Sequence, residues 1–327
     1  MTFKNRLKIN EKKVVGKIEE YIKTLIKERS SKGIVLGLSG GIDSAVMCAL
    51  AVRALGKEKV HVFFLYDKES DKDSQRKATL VANFLGLQLK SLDITEVMKK
   101  EGVYDPFIMK IISVSPGLNR FFQKLYLFIA KERPFFSSLR NGANELHEDK
   151  FRNFMYNQGM QHVVRSFERK HIYRRKFLEK VAAEKNLTLL GAANYTEVFM
   201  GWFVKDGVDD LPISPISALY KTQIWQLAKY LNIPNEIIVQ KSSPDMLKGI
   251  TDENAIGIDY GTIDLIIDSI DCGQTDLGIN KNEYTTKEVD YVKKVNRLSE
   301  WKRKSIHETV PVQGSFKGGF RLSLQTE

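Results

Sequence analysis

Over residues 14–28 the apolar side chains recur at helical spacing, with Val14, Val15, Ile18, Ile22, Leu25 and Ile26 on one face. The run Ile34-Val35-Leu36-Gly37-Leu38 reads as a buried strand. A glycine-rich turn follows, then a helix over 45–55, with Gly56 where a C-cap glycine belongs. A second strand is predicted over 60–65, a helix over 77–85 and a third strand over 87–92. Strand–helix–strand repetition with short connections implies a parallel sheet with crossover helices. The pattern lapses between Val103 and Arg165, where scattered aromatics replace any clear strand. It resumes with a helix over 173–185, a strand over 187–192, a helix over 222–231 ended by Asn232-Ile233-Pro234, and a last helix over 287–302. The expectation is a single doubly wound α/β domain over 1–327 with an insertion over 103–165, about sixty residues and long for a plain connection.

Composition narrows the class. The 327 residues fit one large α/β domain, are 43% apolar and include only 8 Pro, which excludes a disordered or collagen-like chain. Lys and Arg number 51 against 40 Asp and Glu, a net charge of +11. That excess points to an acidic partner: nucleic acid, an anionic membrane or a phosphate-rich small molecule. Two cysteines, Cys48 and Cys272, cannot build a disulfide framework or a four-cysteine zinc site, and Cys48 reads as a small core residue. No stretch reaches the ~18 consecutive apolar residues of a membrane helix. The basic N-terminus has no apolar segment after it, so a cytoplasmic chain without a signal peptide is expected. No repeat or low-complexity tract interrupts the pattern.

The candidate chemistry begins at Leu38-Ser39-Gly40-Gly41-Ile42-Asp43-Ser44, between the first strand and its helix. Two glycines let the backbone turn sharply, the hydroxyls of Ser39 and Ser44 add donors, and the helix N-terminus points partial positive charge at the same spot. This is a nest for phosphate or pyrophosphate. It is neither a Walker A loop, since no Gly-Lys-Ser/Thr follows, nor a G-x-G-x-x-G dinucleotide loop. Asp43 beside bound phosphates makes sense with a hard cation such as Mg²⁺ between them.

The string Ser-Gly-Gly-Ile-Asp-Ser resembles the signature of PP-loop ATP pyrophosphatases, which split ATP between the α and β phosphates. Further along stand Leu190-Gly191-Ala192-Ala193-Asn194-Tyr195-Thr196-Glu197, Gly201-Trp202-Phe203-Val204-Lys205-Asp206-Gly207 and Leu219-Tyr220-Lys221-Thr222-Gln223. Thr251-Asp252-Glu253, Gly257-Ile258-Asp259-Tyr260, Ile263-Asp264 and Ser299-Glu300-Trp301-Lys302-Arg303 complete the set. In order and spacing the set is similar to the ammonia-dependent NAD synthetases, over roughly 10–100 and 170–305. The resemblance implies a Rossmann-like fold of the adenine nucleotide alpha hydrolase type. It also implies adenylation of the deamido-NAD carboxylate by ATP and attack of ammonia on the adenylate. Carried over by position, Leu38 to Ser44 and Lys221 bind ATP, Asp43 and Lys221 are catalytic, and Asp43 and Glu197 hold Mg²⁺. Arg175, Lys205, Asp209 and Lys302 match substrate-binding positions. A homodimer is implied, with the first helix and the aromatic insertion offering apolar faces to cover. Bland alternatives stand beside these roles. Glu197 also fits a capping carboxylate, Lys205 and Lys221 solvated lysines, and the cluster Arg169 to Lys176 an exposed basic helix face.

The chain departs from the family pattern in places. Gly191-Ala192-Ala193-Asn194 stands for the usual Gly-Thr-Gly-Asn and loses a hydroxyl at an expected nucleotide contact, and Pro212 falls where a substrate-binding Asp is usual, leaving Asp209 or Asp210 to substitute. Lys241-Ser242-Ser243-Pro244-Asp245 stands for Lys-Pro-Pro-Ser-Ala, and Trp301 for a His. These departures keep open a different carboxylate, such as a sugar acid or a nucleotide-linked acid. An RNA-modifying relative fits less well, since neither Cys48 nor Cys272 lies in a paired motif. No glutaminase nucleophile is visible, so ammonia is expected free or from a separate glutaminase. Aromatics Phe121, Phe122, Tyr126, Phe128, Phe135 and Phe136 among cations suit either a lid over a nucleotide-like acceptor or a satellite core.

Overall fold

The protein is described by a computed structural model over residues 6–112, 114–244, 249–273, 284–303 and 309. Asp245 of the altered Lys-Pro-Pro-Ser-Ala string lies outside the described residues. The chain runs α1 (Glu11–Glu28), β1 (Ile34–Gly37), α2 (Ile42–Leu55), β2 (Val60–Tyr66), α3 (Lys72–Phe84), β3 (Leu89–Asp93) and α4 (Thr95–Lys100). The middle segment is helical: α5 (Phe107–Ile112), α6 (Pro116–Ala130), α7 (Pro134–Gly142), α8 (Lys150–Met155), a π-helical turn and the long α9 (Gln161–Lys185). Then follow β4 (Thr188–Leu189), α10 (Tyr195–Met200), α11 (Lys221–Tyr230), α12 (Asn235–Val239), α13 (Asp252–Ile256), α14 (Tyr260–Asp271) and α15 (Thr286–Leu298).

The four strands form one parallel sheet in the order β3-β2-β1-β4, with Ile34 opposite Val60 on one side and Thr188 on the other. Successive side chains alternate faces. Ile34, Leu36, Val60, Val62 and Phe64 pack with α1, α2 and α11, while Val35, Phe63 and Leu65 pack with Met98, Val103, Leu178 and Val181. Both faces are covered, which is why β1 and β2 read as continuous apolar runs. Strand order reverses between β1 and β4, and ligands of such sheets bind in the crevice at the carboxyl ends there.

Four expectations need correction. The expected third strand is shorter and lies at the exposed edge; β3 has no fully buried residue. The expected fourth strand shrinks to Thr188–Leu189, because after Leu190, which still donates to Val35 O, the chain turns toward the site. Helix α9 begins twelve residues earlier than its apolar period suggested, because its buried face there includes Ser166, Lys170 and His171. The apolar face of α1, expected to await a second copy, is buried within this chain.

A second core lies beside the sheet layer. Phe135, Phe136 and Leu139 of α7 join Tyr195, Tyr220, Ile263, Ile267, Val292 and Val295. Trp301 stacks so closely on α7 that a Cβ added at Gly142 would overlap its indole ring, and its Nε1 donates to Leu139 O at 3.3 Å. The family's histidine position is thus taken by a ring that anchors the middle segment. That segment's aromatics divide: Phe135, Phe136 and Tyr126 are buried, Phe122 packs with Met109 and Ile112, and Phe121 and Phe128 stand in solvent.

Candidate active site

The turn from β1 into α2 is braced by its own hydroxyls. Ser39 N–H reaches Ser44 Oγ at 3.3 Å, Gly41 N–H reaches Ser39 Oγ at 3.2 Å, and Ser44 Oγ donates to Gly41 O at 3.0 Å. The hydroxyls expected to face a phosphate are thus also the loop's internal braces. Gly40 has φ +83°, and a Cβ there would lie 2.6 Å from Ser74 O, so only glycine fits. Gln240, just after α12, donates to Gly40 O at 2.8 Å and holds the loop from the far side. Gly41 caps α2 without any side-chain bond, so the first-turn N–H groups keep an unsatisfied, positive end aimed at the crevice.

Asp43, in the first turn of α2, meets residues at the starts of two other helices, α10 and α11. Asn194 Nδ2 donates to Asp43 Oδ1 at 2.8 Å. Lys221 Nζ lies 2.5 Å from Asp43 Oδ2 and 2.9 Å from Glu197 Oε1. Lys221 is 1% exposed, so it is a buried cation rather than a solvated lysine. Glu197 is also the capping carboxylate of α10: its Oε2 accepts Asn194 N–H at 3.5 Å while its Oε1 faces Lys221. Burial raises the Glu197 carboxyl to about 8, with Asp43 adding to this and Lys221 opposing it. Burial would lower the Lys221 ammonium, but the Asp43, Glu197 and Asp252 carboxylates outweigh it and raise it.

The placing of Lys221 has a deeper layer. Its backbone N–H donates to Thr196 Oγ1 at 2.9 Å, and that hydroxyl donates to Asp264 Oδ1 at 2.5 Å. Asp264 Oδ2 accepts Thr222 N–H at 2.7 Å, which caps α11 from α14. Asp264 is fully buried, and burial raises its carboxyl to about 6. Asp252 accepts Tyr260 OH at 2.9 Å beside the same cluster, and burial raises it as well. Asp252, Tyr260 and Asp264 stood in the quoted strings without a role. The signal was there, in the spacing of Asp252, Tyr260 and Asp264, but nothing in one sequence says that they converge on Lys221.

Two cavities meet here. A smaller one of about 270 Å³ is lined by the loop from Leu38 to Ser44, by Glu197, Lys221, Asp252 and Arg174. A larger one of about 530 Å³ lies between the middle segment and Trp202, Lys205, Trp301 and Lys302. His171, Trp202, Asp209 and Pro244 line both. Asp209 Oδ1 pairs with His171 Nδ1 at 2.9 Å, and its Oδ2 accepts Val204 N–H at 3.1 Å. Lys302 lines the larger cavity, but its ammonium is turned onto Gly201 O at 2.9 Å and Phe203 O at 2.5 Å, and burial lowers it to about 8. Arg175 lines neither cavity. It pairs with Glu179 at 2.7 Å and donates to Asp210 O at 3.0 Å, while its neighbour Arg174 faces the loop. The basic stretch of α9 is therefore no uniform exposed face: Lys170 forms a fully buried ion pair with Asp67 at 3.0 Å. Cys48 is buried, which pushes its thiol up, and Cys272 is exposed at the end of α14.

Comparison with known proteins bears on this arrangement. The sequence profile of the NAD synthase family matches residues 14–104 and 149–306. An NH(3)-dependent NAD(+) synthetase of Thermotoga maritima is 34% identical over 290 residues, 88% of this chain and 95% of that protein. One from Methanocaldococcus jannaschii is 30% identical over 293 residues, 89% of this chain and 93% of that protein. Among solved structures, NMN synthetase from Francisella tularensis superposes with a TM-score of 0.64 at 21% identity, covering 91% of this chain and 97% of that one. An NH3-dependent NAD synthetase from Campylobacter jejuni gives 0.61 at 22% identity with the same coverage. At those identities the structural likeness speaks for the fold.

Proposed function

The chain belongs to the NAD synthase family, and on that premise we propose that it makes an amide from deamido-NAD, ATP and ammonia. The deamido-NAD carboxylate attacks the α-phosphate, the bond to the β-phosphate breaks, and pyrophosphate leaves. Ammonia then attacks the acyl carbon, loses a proton, and AMP departs with the carboxyl oxygen it had gained. The observation that carries this reading is the convergence of Asp43, Glu197 and the buried Lys221 at the mouth of the phosphate loop.

Each residue has a task. The uncapped start of α2 and the loop amides receive the pyrophosphate, and the Ser39 and Ser44 hydroxyls exchange their internal partners for phosphate oxygens. Lys221, held by Thr196 and Asp264, neutralises charge growing on the leaving group. The donor set fits Mg²⁺: two hard carboxylates, with the remaining positions left to phosphate oxygens and water. Asp43 and Glu197 would hold it, and when bound it screens the phosphate charge.

The acceptor belongs in the larger cavity, beside Lys205 and Asp209. The middle segment then acts as its cover, keeping water from the acyl-adenylate. Departures at Trp301 and Pro244 line this cavity without breaking it. Ammonia, free or delivered by a separate glutaminase, is the nitrogen donor, in keeping with the NH(3)-dependent relatives. The homodimer is kept from the family resemblance, and a monomer mass by light scattering at micromolar concentration would count against it. The central test is pyrophosphate release with ATP, Mg²⁺ and ammonia against a panel of carboxylates. Deamido-NAD should be the preferred acceptor and glutamine should not replace ammonia. Release with another carboxylate but not with deamido-NAD would overturn the reading.

A further inference from the structure

The stretch 105–148, which the family profile leaves unmatched, carries a surface the reaction does not use. Helix α6 turns Phe121 and Phe128 to solvent, at 58% and 71% exposure, and Leu125 between them is 38% exposed and also lines the larger cavity. Spacings of four and three residues place them on one stripe of the helix. Arg120 and Lys124 on α6 and Lys131 just after it are exposed along the same side, and Lys131 Nζ lies 4.6 Å from the centre of the Phe128 ring. Helix α5 packs on α6 and presents Phe107 at 78% exposure. From Pro106 to Lys131 the chain holds four cations and not one Asp or Glu.

Large apolar side chains clustered in water call for a partner. A second copy is disfavoured by charge. A two-fold contact through α6 alone would bring cations together with no anion to meet them, since α6 carries no Asp or Glu. An anionic bilayer answers both parts of the face, with phenyl rings entering the acyl boundary and cations meeting lipid phosphates. We propose that the α5–α6 face is a peripheral binding surface for anionic phospholipid membranes. The inference is independent of the reaction assigned to the crevice. It agrees with the chain's +11 charge.

The test is flotation of the full chain with vesicles of phosphatidylcholine alone and of an equal mixture with phosphatidylglycerol, at physiological and at molar salt. Binding should require phosphatidylglycerol and weaken at high salt. Each cation near such a surface adds roughly fivefold to affinity. Replacing Arg120, Lys124 and Lys131 together by Glu should therefore reduce binding at least ~100-fold. Phe121→Ser with Phe128→Ser should abolish flotation while pyrophosphate release stays at the wild-type rate. Equal binding to both vesicle types, no binding, or unchanged binding by the variants would overturn the proposal. So would light scattering in which the Phe pair converts a dimer to a monomer, which would assign the face to a second copy.

Discussion

Lys221→Met removes one positive charge and keeps the length of the stem, so it isolates the ammonium at the centre of the cluster. The lysine Nζ sits 2.5 Å and 2.9 Å from two carboxylate oxygens. At an effective permittivity of about 20, each such pair attracts by about 6 kcal/mol before the cost of drying the ions. Desolvation cancels most of that, and removing one partner of a buried pair costs about 3–5 kcal/mol in stability. The lower end is expected, because Glu197 already lies near 8 and takes up a proton at neutral pH once the cation is gone. Catalysis should suffer more. Loss of a positioned charge on the developing leaving group costs about 10²–10³ in kcat. The assay is pyrophosphate release under saturating ATP and deamido-NAD, with thermal melting to show that the variant is folded. A fall in kcat at least tenfold larger than the rise in KM for ATP is expected. Lys221→Arg should not restore the rate, since the planar guanidinium has no room at a site 1% exposed. A folded Met variant with kcat within threefold of wild type would refute the argument that Lys221 acts on the transition state.

Asp43→Asn should lower the melting temperature but leave the chain folded, since Lys221 keeps Glu197 as a partner, and it should lower pyrophosphate release by about 10² or more, as expected when a charged group at the reacting phosphates is lost; full activity would remove Asp43 from the reaction. Gly40→Ala should cost about 1–2 kcal/mol for a side chain at positive φ, and more for the contact with Ser74 O, with ATP affinity falling in a direct titration. Asp264, raised to about 6, holds its proton more tightly folded than unfolded, so the folded state binds more protons from about pH 4 to 6 and this contribution to stability falls as pH rises through that window. Asp264→Asn should remove that slope from Tm measured against pH. It should also cost about 1–3 kcal/mol, since an amide cannot accept from both Thr196 and Thr222.

Local rules carry part of this protein in the chain itself. Helical and strand periods are properties of neighbouring residues, so α1, β1, α2 and β2 are legible within a few positions. The phosphate loop is likewise local, because a glycine turn, its hydroxyls and the following helix end lie within six residues. Tertiary structure decided what depends on distant residues meeting. Helix α9 hides its first half behind a buried face of Ser166, Lys170 and His171, polar residues made tolerable only by partners such as Asp67, 103 positions away. Arg174 rather than Arg175 reaches the crevice because helix rotation is set by what α9 packs against. Trp301 replaces a polar residue because α7, some 160 positions earlier in the chain, lays its Gly142 and Leu139 carbonyl against the ring. Apart from the family resemblance, Lys221 reads as an ordinary lysine at a helix start. Only the fold places it 178 positions from Asp43 in sequence and 2.5 Å in space, where burial turns a common side chain into the charge at the centre of the site.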